Sequence, residues 1–138
     1  MAVVPLLNDE EAGAEALAVF NDIRAARGTD YVNNFWRALA HDPAQLRSVW
    51  DRIQSVMGPG ALDPLVKELI YVAVSTANGC GYCIHSHTAS ARAKGMTPAM
   101  YAELLAVVAM ASQTNALATA LGVPIDAPFE AGQARAGD

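Results

Sequence analysis

The sequence predicts an all-α fold, a single helical domain spanning residues 1–138 with about six helices, on three observations. Apolar residues recur at three- and four-residue intervals through most of the chain. A capping residue precedes proline at Asp42-Pro43, Asp63-Pro64 and Thr97-Pro98, a recurrent way to start a helix. No stretch alternates with the period of two that a half-buried strand requires, and the β-branched residues sit inside helical periods. A chain of 138 residues is long enough to bury well over half of its unfolded surface in one core.

Taken in order, Asn8 is placed to cap a first helix that opens on Asp9, Glu10 and Glu11, presents Ala12, Ala16, Val19, Phe20 and Ile23 on one face, and ends at Arg27-Gly28. A short helix is expected over Tyr31 to Ala40, with Phe35, Trp36 and Leu39 apolar, stopping before Pro43. Asp42 caps the third helix, with Gln45 placed to reach back to the cap. Its stripe of Leu46, Val49, Trp50, Ile53, Val56 and Met57 runs until Gly58-Pro59-Gly60. Trp36 and Trp50 read as core, and His41 reads as a helix-end residue complementing the dipole. The fourth helix runs from Asp63-Pro64 to Ala77 and turns at Asn78-Gly79. Because Leu69 to Val74 is apolar on every side, this helix should be central, with Glu68 at least partly buried. A fifth helix starts about Cys80 and ends at Lys94-Gly95. The sixth opens at Thr97-Pro98, carries Met100, Tyr101, Leu104, Leu105, Val108 and Ala111, and continues to Leu121. From Ile125 to Asp138 no periodicity remains, which reads as a flexible tail or an arm on a neighbour.

The formal net charge of -5 and the absence of a Lys/Arg cluster argue against nucleic acid as a partner. Hydrophobic residues make up 53% of the chain and charged residues 17%, so part of the apolar surface is expected to face another copy in a homo-oligomer. The opening MAVVPLLNDEE lacks the pattern of a secretory signal, and the longest unbroken apolar run, Leu104 to Ala111, is short for a bilayer. A cytoplasmic protein without a membrane partner is the expectation. Two cysteines spaced i, i+3 then point to redox or metal chemistry, because structural disulfides belong mostly to oxidising compartments.

The chemistry concentrates between Glu68 and His87. If the fourth and fifth helices form an antiparallel hairpin, Cys80, Cys83 and His87 share one face of the fifth helix at spacings of three and four. Relative to Gly79, Glu68 and His87 are offset by three residues, about 4.5 Å of rise, which two side chains span. A carboxylate there can orient the imidazole, and the imidazole can take a proton from a thiol. The helix N-terminus favours a thiolate, and a lowered thiol pKa is what attack on a peroxide or a disulfide requires. The neighbouring thiol can then close a Cys80–Cys83 disulfide. The residues leave open which thiol attacks: Cys80 is nearer the helix terminus, Cys83 is one helical step from His87. Cys83 as nucleophile with Cys80 as resolving thiol is the favoured reading. Tyr82 and His85 are candidates for the pocket edge.

A zinc site built from Cys80, Cys83, His85 and His87 is the competing reading. On a continuous helix, however, His85 points about 100° away from the face holding the other three. No metal or other cofactor is expected. A thioredoxin-like site would require a βαβ setting that the sequence lacks.

The pattern Glu68-x11-Cys80-x-x-Cys83-x3-His87 in a helical chain resembles the core motif of the alkylhydroperoxidase D family, within the carboxymuconolactone decarboxylase superfamily. The resemblance extends from NNFWRALAHDP through GPGALDP to the end of the fifth helix. It implies a thiol-dependent peroxidase with Cys83 peroxidatic, Cys80 resolving, and Glu68 and His87 in a proton relay. It further implies trimers or hexamers, and regeneration by a dithiol donor such as a lipoyl-type adaptor. The best-known members carry a histidine immediately before the second cysteine, where this chain has Tyr82, with His85 nearby. The other functions weighed are the lyase activity of the decarboxylase branch, which does not depend on a redox dithiol, and a non-catalytic redox-sensing or metal-binding role.

Overall fold

The computed structural model describes residues 1–130; the last eight residues of the expected tail lie outside the described residues. Among the described residues six α-helices follow one another and no strand occurs: α1 (Ala14–Arg27), α2 (Asn34–Leu39), α3 (Pro43–Met57), α4 (Pro64–Ala77), α5 (Gly81–Ala93) and α6 (Pro98–Leu121). The all-α expectation holds. Within the region expected as a tail, Ala127–Phe129 forms a short 3-10 turn. The helices divide into two units, residues 1–61 and the described residues from Leu62 on.

In the first unit α1, α2 and α3 enclose a core of Ala16, Val19, Phe20, Ile23, Trp36, Leu46 and Trp50. The Trp36 and Trp50 rings meet edge to face at 5.4 Å, the geometry that sets the positive ring edge against the negative face. The Arg27 guanidinium lies over both indoles, 5.8 and 5.6 Å from their centroids. Helix α1 begins later than expected. Asn8 does cap, accepting from the backbone N–H of Glu10 and Glu11, while Glu11 accepts from the N–H of Asn8. That reciprocal box closes one isolated turn, and extended Gly13 (ψ 165) restarts the chain as α1. Helix α2 is likewise shorter than Tyr31 to Ala40, because Asn33 is extended and Val32 is drawn into the core before the helix begins. On α3, Asp42 caps the N–H of Gln45 as its sequence indicates, although Val56 at the far end of the stripe is half-exposed. His41 directly follows the end of α2, and its Nε2 donates to the carbonyl of Pro5 and holds the N-terminal segment. Asp9 serves the same end, paired with Arg24 at 2.7 Å and with Arg37 at 3.4 Å, and the hydrogen bond from Arg24 holds its carboxyl below the usual range.

In the second unit α4 and α5 form the hairpin that the Asn78-Gly79 turn requires, and α6 packs on α4. Asp63 and Thr97 cap α4 and α6 through the N–H groups of Leu65 and Met100. Along α4 the buried positions are Glu68, Val72 and Ser75, spaced four and three apart, so one narrow line of the helix is covered. The expectation of a helix covered all round is corrected at Ile70 and Val74, which are 47% and 53% exposed within the single chain. Helix α6 goes further, since none of its residues is buried. Its 24 residues have a mean hydropathy of 1.5 over an 18-residue window, which by length and composition is enough to cross a membrane. Counting only unbroken apolar runs understates this helix, because Glu103 and the polar stretch from Ser112 to Asn115 bound the run while apolar residues continue on both sides. The Ser112 and Thr114 hydroxyls fold back onto the carbonyls of Val108 and Met110, which satisfies their polarity within the helix.

Candidate active site

The site begins with the turn between α4 and α5. The N–H of Asn78 donates to Val74, that of Gly79 to Thr76, and that of Cys80 to Ser75, closing the last turn of α4. Gly79 has φ 69, a left-handed conformation that glycine adopts without penalty. The chain therefore leaves the turn with Cys80 as the N-cap of α5, so α5 itself starts at Gly81.

Cys80 caps with sulfur. Its Sγ accepts from the N–H of Cys83 at 3.3 Å, the place that a serine or aspartate oxygen usually takes. The two cysteines are joined in a disulfide with Cα atoms 5.3 Å apart. After reduction the same N-terminal N–H groups and helix dipole favour a thiolate in this turn.

One turn beyond Cys83, His87 meets the carboxylate from α4. Its Nδ1 donates to Oε2 of Glu68 at 2.8 Å. The remaining oxygen, Oε1, accepts from Ser90 Oγ at 2.7 Å and from Lys94 Nζ at 3.0 Å. The Glu68 side chain is only 6% exposed and that of His87 15%, so these bonds lie largely out of water. Burial by itself pushes the Glu68 carboxyl up. The hydrogen bonds from His87, Ser90 and Lys94, with the charge of Lys94, outweigh it and bring the group from 4.5 down to about 2. With the proton of Nδ1 committed to a carboxylate, the neutral imidazole has its lone pair on Nε2. Tyr71, one turn after Glu68 on α4, stacks on the imidazole with ring centroids 3.5 Å apart and planes 16° from parallel. The ring is thus fixed in direction by Glu68 and in plane by Tyr71.

The structure brings together the residues that spacing selected in two linked pairs, Glu68 with His87 and Cys80 with Cys83, on one hairpin. Tyr82 and His85 stay on the exposed side of α5 and lie outside the Glu68 network. Among the described residues no group of three or more His, Cys, Asp or Glu is arranged to hold a metal ion. Sequence reasoning missed Ser90, Lys94 and Tyr71. Ser90 and Lys94 stand three and seven residues after His87, hence on its helical face, and Tyr71 stands three after Glu68. Extending the helical periodicity past His87 places Ser90 and Lys94 on its face, and past Glu68 places Tyr71, although the contacts themselves are seen only in the structure.

Comparisons with known proteins show what this chain is similar to. A family model described as the carboxymuconolactone decarboxylase family matches residues 43–126. The alkyl hydroperoxide reductase AhpD of Solibacter usitatus is 37% identical over 84 residues, covering 61% of this chain and 42% of that protein. The protein of the same name from Maricaulis maris is 37% identical over 79 residues, covering 57% of this chain and 40% of its own length. This chain thus spans about two fifths of the length of these curated relatives. A crystal structure of the alkylhydroperoxidase AhpD core from Rhodospirillum rubrum superposes with a TM-score of 0.89 at 61% identity, covering 94% of this chain and 97% of that one. The matched region contains α3, the hairpin and α6, with every residue of the site, and the chain belongs to the carboxymuconolactone decarboxylase family.

Proposed function

We propose that this protein is a thiol-dependent peroxidase of the alkyl hydroperoxide reductase type. The observation that carries the reading is a Cys80–Cys83 disulfide at the start of a helix whose His87 is hydrogen-bonded to a buried, ionised Glu68. In the reduced protein His87 takes the Cys83 proton on Nε2, and the Cys83 thiolate attacks the peroxide. One oxygen forms a bond to sulfur, the O–O bond breaks, and the leaving alkoxide takes the proton back from the imidazolium to depart as an alcohol. Cys80 then attacks the Cys83 sulfenic acid, forming the S–S bond and releasing water. Glu68 stabilises the imidazolium formed in the first step. Tyr82 and His85 border the approach to the dithiol.

Two electrons restore the dithiol. An external dithiol, of lipoyl type, attacks the disulfide and leaves as its own cyclic disulfide. A cytoplasmic setting suits a cycle that depends on reduction between turnovers. The apolar faces left exposed on α4 and α6, including Ile70, Val74, Val107 and Met110, support a homo-oligomer, a trimer or a hexamer, in which other copies cover them. The printed names of the two AhpD relatives and of the AhpD core structure support the same activity.

The test is stoichiometric. Protein reduced with dithiothreitol and freed of it is mixed with one equivalent of cumene hydroperoxide, and thiols, peroxide and protein mass are followed together. Loss of both thiols with consumption of one peroxide is expected. Persistence of both thiols beside unreacted peroxide would refute the reading.

A further inference from the structure

We propose that Ser90 and Lys94 are positioning residues of this site, which fill one oxygen of Glu68, aim the other at His87, and offset the pull of Glu68 on a proton at the imidazole. The proposal rests on the thiol chemistry argued above and extends it to residues that the motif does not contain. Its basis is a closed set of hydrogen bonds. Lys94 Nζ reaches both Glu68 Oε1 at 3.0 Å and Ser90 Oγ at 2.9 Å, and Ser90 Oγ itself donates to the same carboxylate oxygen at 2.7 Å. The carboxylate therefore has a fixed orientation, and only Oε2 is left for His87.

The charge of Lys94 has a second effect. A lone buried carboxylate beside an imidazole favours the imidazolium, which has no lone pair with which to accept a thiol proton. A cation on the far oxygen opposes that preference and leaves the imidazole free to act as a base. The groups facing Glu68 from the packed helix are His87, Ser90 and Lys94 of α5, while Tyr71 of α4 reaches the pair through the His87 ring. Lys67 neighbours Glu68 in sequence, and Glu103, the sole charged residue of α6, is exposed. The alternative role for Lys94 is complementation of the α5 dipole, since it is the C-cap of that helix. Dipole complementation affects stability and leaves the protonation of the thiol site unchanged.

The experiment reads that protonation directly. Reduced wild type, K94Q, K94R and S90A are alkylated with iodoacetamide from about pH 5 to about pH 9, and the rate of thiol modification is followed by mass, with helix content checked by circular dichroism. Removing a positive charge favours the protonated form of the thiol–imidazole site whichever group holds the proton. In K94Q the acid limb of the rate profile is expected to move up by roughly half to one pH unit, discounted for the partial exposure of the lysine. K94R should return the limb to its wild-type position, and S90A should shift it in the same direction as K94Q by a smaller amount. Lys94 is 38% exposed, and unchanged helix content in K94Q separates a charge effect from a loss of packing. Coincident limbs in wild type, K94Q and S90A would overturn the proposal. A shifted limb in a protein that fails to consume peroxide would retain this assignment and remove the peroxidase reading; an unshifted limb with normal peroxide consumption would do the reverse.

Discussion

Nδ1 of His87 donates to Oε2 of Glu68 at 2.8 Å across nineteen positions of sequence, and this bond links the two helices of the hairpin one turn beyond Cys83. It fixes which ring nitrogen is turned toward Glu68. The proton sits on the nitrogen nearer α4, the accepting lone pair lies on the other, and Tyr71 holds the ring plane.

Replacing Glu68 with Gln removes the negative charge that stabilises the imidazolium and leaves the Lys94 cation unpaired. Thiol oxidation by peroxide should slow roughly 10- to 100-fold near neutral pH, toward the lower end of what general acid–base groups contribute. Stopped-flow measurement of thiol loss checks this. A rate equal to wild type would show that the carboxylate only holds the helices together.

The same carboxylate ties stability to acid pH. Its folded value of about 2 lies below the ordinary 4.5, so its contribution is fully present above pH 4.5 and is lost as the pH falls toward 2. The loss is of the order of 2–3 kcal/mol for a shift of this size. Urea midpoints measured between those limits should fall more steeply for wild type than for E68Q.

Tyr71 contributes through its ring and not through its hydroxyl. Y71F should keep the stack, whereas Y71A should lose about 1 kcal/mol of stability and slow thiol oxidation, because the imidazole then rotates about its bond to Glu68. Thermal melts and the thiol-loss assay separate the two effects. Equal rates in both variants would exclude a role for the stack in orienting His87.

Gly79 places Cys80 at the helix cap. A Cβ there meets no atom within 4 Å, so substitution by Ala is resisted by the left-handed φ of 69 alone. G79A should destabilise the protein by roughly 1–2 kcal/mol, read from a urea melt, with the site otherwise preserved.

Much of this structure is legible in the sequence, and the failures have physical causes. Asp42-Pro43, Asp63-Pro64 and Thr97-Pro98 mark helix starts because cap and proline act locally, and Gly79 marks the turn for the same reason. The Glu68–His87 contact follows from counting residues away from that turn. Asn8 misleads because a capping box closes a single turn as readily as a whole helix, and nothing local announces that Gly13 interrupts it. His41 and Pro5 meet through tertiary packing, which no local pattern encodes. Lys94 at a helix end reads as ordinary dipole complementation, and only the coordinates reveal that its ammonium turns back to Glu68. For α6, the periodic positions Met100, Tyr101, Leu104 and Val108 are the partly covered ones, but local pattern does not show that no residue of the helix is fully buried within one chain.

The central claim is that a peroxide oxygen is transferred to the sulfur of Cys83. The most direct measurement is the mass of reduced C80S and C83S after one equivalent of hydroperoxide, with dimedone present to trap a sulfenic acid. The account predicts one dimedone adduct on Cys83 in C80S and none on Cys80 in C83S. An adduct on Cys80 alone, or none in either variant while wild type consumes peroxide, would contradict it.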